Sequence, residues 1–184
     1  MSRAPYAVVH ADPPWPFKTY SDKGRDRCAD KHYPCMKLDD IKALDVASVA
    51  AKDCALFLWT VSANLPDALD VIKAWDFRFK TLAFVWVKTT VTGRLHFGLG
   101  YWTRQNAELC LLATRGHPKR VSRGVKQVVI EAVGEHSAKP DEVRNRIVEL
   151  MGNVPRLEMF ARKKVEKWDV WGLEVVSDVE IRHK

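Results

Sequence analysis

The stretch CALFLWTV (54–61) carries no charge and follows the charged pair Lys52 and Asp53. A run this short and this apolar fits a strand buried on both faces, which requires helices on either side of a sheet. The rest of the chain supplies both. YAVVHA (6–11), FRFKTLAFVWVK (77–88), AELCLLAT (107–114), VKQVVIEAV (125–133) and RLEMFA (156–161) read as further strands, with a short apolar piece at WDVWGL (168–173). Between them lie helical patterns. KLDDIKALDVASVA (37–50) repeats Ile41, Leu44, Val46 and Val49, with Asp39 and Asp40 as helix-start acids. NLPDALDVIKAWD (64–76) repeats Leu65, Leu69, Ile72 and Trp75, with Pro66 in its first turn. KPDEVRNRIVELMG (139–152) places Val143, Ile147, Leu150 and Met151 on one side. The alternation predicts an α/β sandwich: a mostly parallel sheet with helices on both faces. In such sheets ligands sit beyond the carboxyl ends of the strands.

The chain's 184 residues suit a single domain, 1–184, with one sizeable core. No apolar run approaches a membrane span, and the N-terminus MSRAPYAVVHADPP lacks a long apolar region and a cleavage site. No membrane association is expected, and the cytoplasm is the expected location. Cys54 and Cys110 lie in apolar runs and read as small core residues. Cys28, His32 and Cys35 lack a matching fourth ligand, so no metal site is expected.

The formal net charge is +7, and it is concentrated. RGHPKRVSRGVK (115–126) holds five Lys/Arg and no acid, and RKKVEK (162–167) holds four against one. Two such clusters favour an anionic polymer, nucleic acid, as partner. Two irregular stretches, 16–36 and 89–106, are longer than ordinary connections. The second mixes His96, Phe97, Tyr101 and Trp102 with glycines and basic residues, a composition suited to gripping bases.

The first strand ends in ADPPWPF (11–17). Two consecutive prolines remove donors and fix φ, so this segment neither extends a sheet nor starts an ordinary helix. It makes a stiff, extended exit that holds Asp12 and Trp15 in set directions. The Asp12 carboxylate and the Pro13 carbonyl can accept both hydrogens of a planar amine while Trp15 stacks on the attached ring. Adenine's exocyclic amine is a poor nucleophile because its lone pair is delocalised. Two acceptors on its hydrogens favour a pyramidal nitrogen that can attack an electrophilic methyl, by positioning and preorganised electrostatics and without a strong base.

DPPW (12–15), followed in order by HYPCM (32–36), LFLWT (56–60), FVWVK (84–88), SAKPDEV (137–143) and LEMFAR (157–162), resembles the DPPW-motif, MT-A type family of adenine methyltransferases over nearly the whole chain. The resemblance implies a permuted Rossmann-like methyltransferase fold, with the catalytic strand ahead of the cofactor half. It implies S-adenosylmethionine as methyl donor and Asp12, Pro13, Pro14 and Trp15 as the catalytic turn, Asp12 also facing the cofactor. Lys139 would meet the donor's carboxylate. Glu158 and Arg162 would line the donor pocket, facing its ribose hydroxyls or its adenine edge, Phe160 would pack there, and Glu174 would reach a ribose hydroxyl. Leu173 stands where the family usually has an amide. With eleven residues ahead of Asp12, upstream cofactor contacts are not expected.

Lys139 also has a reading of its own. With Pro140 at the first helical position it becomes an N-cap cation that opposes the helix dipole, and a carboxylate bound there would explain it. His10 reads as a satisfied core histidine, and Trp59, Trp75 and Trp86 as packing. Tyr33 matches a family aromatic near the target base. Lys119, Arg120 and Arg123, together with the 16–36 loop, would hold phosphates. The function expected is methyl transfer to adenine in nucleic acid, DNA being favoured over RNA. The competing reading is a non-catalytic nucleic-acid-binding partner subunit of the same fold. The sequence does not decide between a monomer, a homodimer and a chain with a partner subunit.

Overall fold

The computed structural model describes residues 5–16, 35–98, 100, 102–134 and 138–184. Seven strands, β1 (Tyr6–Ala11), β2 (Ala50–Thr60), β3 (Arg78–Thr89), β4 (Ala107–Arg115), β5 (Val128–Ala132), β6 (Arg156–Met159) and β7 (Asp169–Trp171), form one sheet in the order β5-β3-β4-β2-β1-β6-β7. The pairings β1–β2, β1–β6, β3–β5 and β6–β7 are parallel, and β4 runs antiparallel to both β2 and β3. Among the described residues six strands therefore point one way and β4 alone is reversed, in line with the mostly parallel sheet expected.

The helices are α1 (Leu38–Ala43), α2 (Leu65–Ala74) and α3 (Asp141–Met151). Strand side chains alternate between faces, and two cores follow from that alternation. Val9, Ala11, Leu56, Leu58 and Leu111 pack with Ile41 of α1 and with Ala68, Val71 and Ile72 of α2. Val8, Phe57, Trp59, Phe84, Trp86 and Cys110 pack with Val143, Ile147 and Met151 of α3 on the other face. Cys54 and Cys110 are fully buried, one in each core, as small hydrophobes.

Three boundaries differ from the sequence reading. The helix expected over 37–50 stops at Ala43, and β2 already begins at Ala50. The C-terminal segment captures the intervening backbone: Leu44 bridges to His183, the Asp45 N–H donates to the Arg182 carbonyl, and the Lys184 N–H donates to the Ala43 carbonyl. The strand expected over 125–133 covers only Val128–Ala132. Finally, Pro140 is the N-cap residue, with extended backbone (φ −54, ψ 129), and α3 starts at Asp141. Lys139 thus precedes the cap instead of forming it.

After β6 the chain turns at Phe160, which takes φ 60. Gly172 then passes so close to Ala161 that an added Cβ would lie 2.4 Å from its carbonyl oxygen. Only glycine permits this approach, which brings residues 172–174 back beside the end of β6.

Candidate active site

Polar residues gather at one edge of the sheet because the strands change character there. On the α3 face, β1 reads Val8, His10 and then, just past its end, Asp12. β3 reads Phe84, Trp86, Lys88, and antiparallel β4 enters the same edge with Glu108 ahead of Cys110. β6 places Glu158 opposite His10 in register. With a side-chain period of two, one edge of one face carries His10, Asp12, Lys88, Glu108 and Glu158. This is the carboxyl end of the parallel strands, where ligands are expected.

The DPPW turn is pinned from several directions. The Trp15 N–H donates to the Pro13 carbonyl at 2.8 Å and the Met36 N–H to the Pro14 carbonyl at 3.0 Å. The Trp15 indole N–H donates to the Trp59 carbonyl at 2.9 Å, and Asn64 Nδ2 to the Pro16 carbonyl at 3.2 Å. The segment is therefore folded over itself rather than simply extended. Pro13's carbonyl spends one lone pair on Trp15 and keeps the other for a ligand. Trp15 is half-buried against the α1–α2 core, so its plane is set before any base arrives.

Lys139 joins the first acid to a second one. Its ammonium lies 2.7 Å from Asp12 Oδ2 and 3.2 Å from Glu108 Oε2, and Lys88 donates to Glu108 Oε1. The cation thus meets the protein's own carboxylates, which answers the mismatch with the helix dipole. Burial would lower the Lys139 pKa, but Asp12 and Glu108 outweigh it and push the group up to about 12. Burial raises the Asp12 pKa above the ordinary carboxylate value, with Lys139 pulling against it. Glu108 is held below its ordinary value although burial acts upward, because two ammonium groups flank it. With Oδ2 engaged, Asp12 Oδ1 is left to accept a hydrogen from a ligand.

Beside Asp12 opens a cavity of about 260 Å³ whose lining includes Lys139, Glu158, Phe160 and Arg162. Phe160 packs edge-on against Trp171, and Arg162 Nε lies 3.8 Å from Glu174 Oε1, which ties Glu174 to the cavity's rim. Every cofactor residue read from the sequence is thus at or beside this cavity. Leu173 is exposed. The donor set, two carboxylates for hydroxyls and cations for a carboxylate, fits S-adenosylmethionine.

His10, read as satisfied, is only half so. Trp59 Nε1 donates to its Nε2 at 2.8 Å, which leaves the proton on Nδ1. That nitrogen is buried without a hydrogen bond, 3.8 Å from Glu158 Oε1. Trp59 is therefore more than packing, while Trp75 and Trp86 are fully buried as expected. Burial lowers the His10 pKa from 6.5 to about 4. Between those values the unfolded chain binds a proton that the folded chain refuses, so stability falls as pH drops through this window. About 3 kcal/mol is at stake. The pH 7 to pH 4 loss in unfolding free energy is expected to be smaller in His10→Gln by about that amount. Equal losses would clear His10 of the effect.

Not every sequence candidate comes here. Tyr33 lies outside the described residues. Lys119, Arg120 and Arg123 are exposed at the opposite edge of the sheet: β4 runs backwards and delivers its following loop beside Ala7 and Asp53, where the His117 N–H donates to Asp53 Oδ1 at 2.8 Å. The described residues of 89–106 do rise at the Asp12 edge, with Phe97 and Trp102 exposed, while Tyr101 lies outside the described residues. The sequence reading missed Lys88, Glu108 and Arg144. Glu108 had a signal: an acid inside the apolar run AELCLLAT.

The MT-A70 family profile matches residues 6–174. The chain is 33% identical to the type II methyltransferase M.MunI of a Mycoplasma species, over 95% of this chain and 80% of that protein. It is 30% identical to the N(6)-adenosine-methyltransferase MT-A70-like protein of Drosophila melanogaster and 28% identical to the human N(6)-adenosine-methyltransferase catalytic subunit METTL3, each over 85% of this chain. Those matches span 24% and 26% of the longer proteins, so the chain corresponds to about a quarter of each.

Proposed function

The chain belongs to the MT-A70 family, and from that membership we propose that it methylates the exocyclic amine of adenine in nucleic acid, with DNA the favoured polymer. The family uses S-adenosylmethionine, which when bound supplies an electrophilic methyl group. The preference for DNA rests on likeness: the chain is 33% identical to the type II methyltransferase and 28–30% identical to the adenosine methyltransferases. RNA is the second reading, supported by likeness to the latter. No helix among the described residues is long and apolar enough to cross a membrane. A single cytoplasmic domain over 1–184 is part of the proposal.

One observation carries the chemistry. Asp12 Oδ1 and the free lone pair of the Pro13 carbonyl stand together on a turn pinned at Trp15, beside the cavity. They would accept the two amine hydrogens and turn the nitrogen lone pair toward the cavity. The proton released as the N–C bond forms would pass to Asp12, whose burial already favours holding it. Trp15 would stack on the base. Lys139, Glu158, Phe160, Arg162 and Glu174 would hold the donor.

Nucleoside mass spectrometry after incubation with isotope-labelled donor and duplex DNA, single-stranded DNA or RNA tests this. Labelled N6-methyladenine in one polymer establishes the activity and its substrate. A folded protein that binds the donor and methylates none of them would return the chain to the partner-subunit reading.

Lys119, Arg120 and Arg123 are placed to touch a polymer only away from the reacting base. Their joint replacement by glutamine is expected to weaken polymer binding and flatten its salt dependence by about two to three units of slope. Turnover at saturating substrate should be unchanged. An unaltered slope would remove this loop from the interface.

A further inference from the structure

Arg144 is not among the residues read from the sequence, yet it crosses the cavity. From α3 its Nε donates to Glu158 Oε2 at 2.7 Å and its Nη2 to Glu158 Oε1 at 2.5 Å, while Nη1 bonds Asp141. Each oxygen of the carboxylate expected to meet the donor thus has one lone pair committed to the guanidinium, in the bidentate form that is strongest for this pair. Glu158 is nine-tenths buried at its side chain, so the pair is not a loose surface contact.

The space around it is divided by the same residue. The cavity beside Asp12 measures about 260 Å³, below the roughly 300 Å³ at which pockets for drug-sized ligands begin. A second cleft of about 770 Å³ lies between α3 and residues 163–168. Arg144, Asp141 and Lys163 line both. Lys163 in turn bonds Asp141 at 3.1 Å, so these side chains form the partition. On the far side of Glu158, His10 Nδ1–H waits unpartnered at 3.8 Å, able to steady the carboxylate once the guanidinium leaves.

We propose that Arg144 gates the donor cavity, guarding the Glu158 carboxylate until ribose hydroxyls replace it and, by moving aside, joining the cavity to the cleft behind it. The proposal rests on the reading of this cavity as the S-adenosylmethionine site. It makes Arg144 a positioning residue that opposes donor binding in the free protein.

S-adenosylhomocysteine titrated by calorimetry is the test. Arg144→Met keeps bulk and removes the competitor, so it is expected to bind at least about tenfold tighter while unfolding at a lower temperature. Arg144→Lys, which keeps one charge without the fork, should fall between. The gain should vanish for the analogue lacking both ribose hydroxyls, a discrimination that a merely structural arginine would not produce. Weaker or unchanged binding of S-adenosylhomocysteine by a folded Arg144→Lys or Arg144→Met protein overturns the gate. Failure of wild type and both variants alike to bind it, with the fold intact by circular dichroism, overturns the cavity assignment itself.

Discussion

Asp12→Asn is expected to lower the methylation rate on the order of a thousandfold, the scale seen when a preorganised polar group is removed from a transition state. The substitution preserves shape but changes what faces the amine. An amide turned to keep its oxygen on Lys139 presents an NH2 group to the substrate's own N–H bonds. Turned the other way, it presents that NH2 to the ammonium 2.7 Å away. Only the second orientation leaves an acceptor facing the amine, and that oxygen is neutral, weaker than a carboxylate's, and held there at the cost of an N–H pressed against the ammonium. Binding of S-adenosylhomocysteine should change only a few-fold, since Lys139, Glu158 and Arg162 are untouched. Single-turnover transfer from labelled donor would separate the two effects. A variant that transfers at the wild-type rate would show that the amine is not held by this carboxylate.

Lys139→Met is expected to have the second largest effect, on stability as well as on rate. It removes the cation between Asp12 and Glu108 and leaves two carboxylates at a buried edge with Lys88 alone. Breaking a buried pair from one side costs about 3–5 kcal/mol, because the remaining charge is desolvated without a partner. Urea unfolding would show it. The Asp12 pKa, already raised by burial, loses the ammonium that pulls it down and rises further. Since the acceptor role needs the ionised form, the acid limb of the rate profile should move to higher pH. Combining Lys139→Met with Glu108→Gln should restore part of the stability, since the edge then carries one carboxylate and one ammonium in place of two carboxylates against one ammonium, but not the rate. A single variant as stable as wild type would mean the network contributes little to folding.

Much of the site could be read because its parts are local. The DPPW turn is one contiguous segment whose prolines dictate its own geometry, and SAKPDEV and LEMFAR are likewise short and ordered. Lys139 was found for a reason the structure replaces: it is not the N-cap, and its partner is Asp12, 127 positions away. Lys88 escaped because it looks like an ordinary residue of its strand, and Glu108 because its one signal, an acid in an apolar run, names no partner. Their meeting depends on β4 entering the sheet edge that β3 has just left. The basic loop 115–126 misled in the opposite sense: its composition is right for a polyanion, but the reversal of β4 carries it away from Asp12.

The sequence by itself determined the strands, the two faces of the sheet and the stiff acidic turn, because periodicity, burial and proline geometry act over a few residues. Only the tertiary structure decided where α1 ends, which strand runs backwards and which charges meet. Those outcomes depend on pairings between residues far apart in the chain. The C-terminal backbone claims Leu44, the direction of β4 sorts the cations to opposite edges, and the register of β1 against β6 sets His10 opposite Glu158.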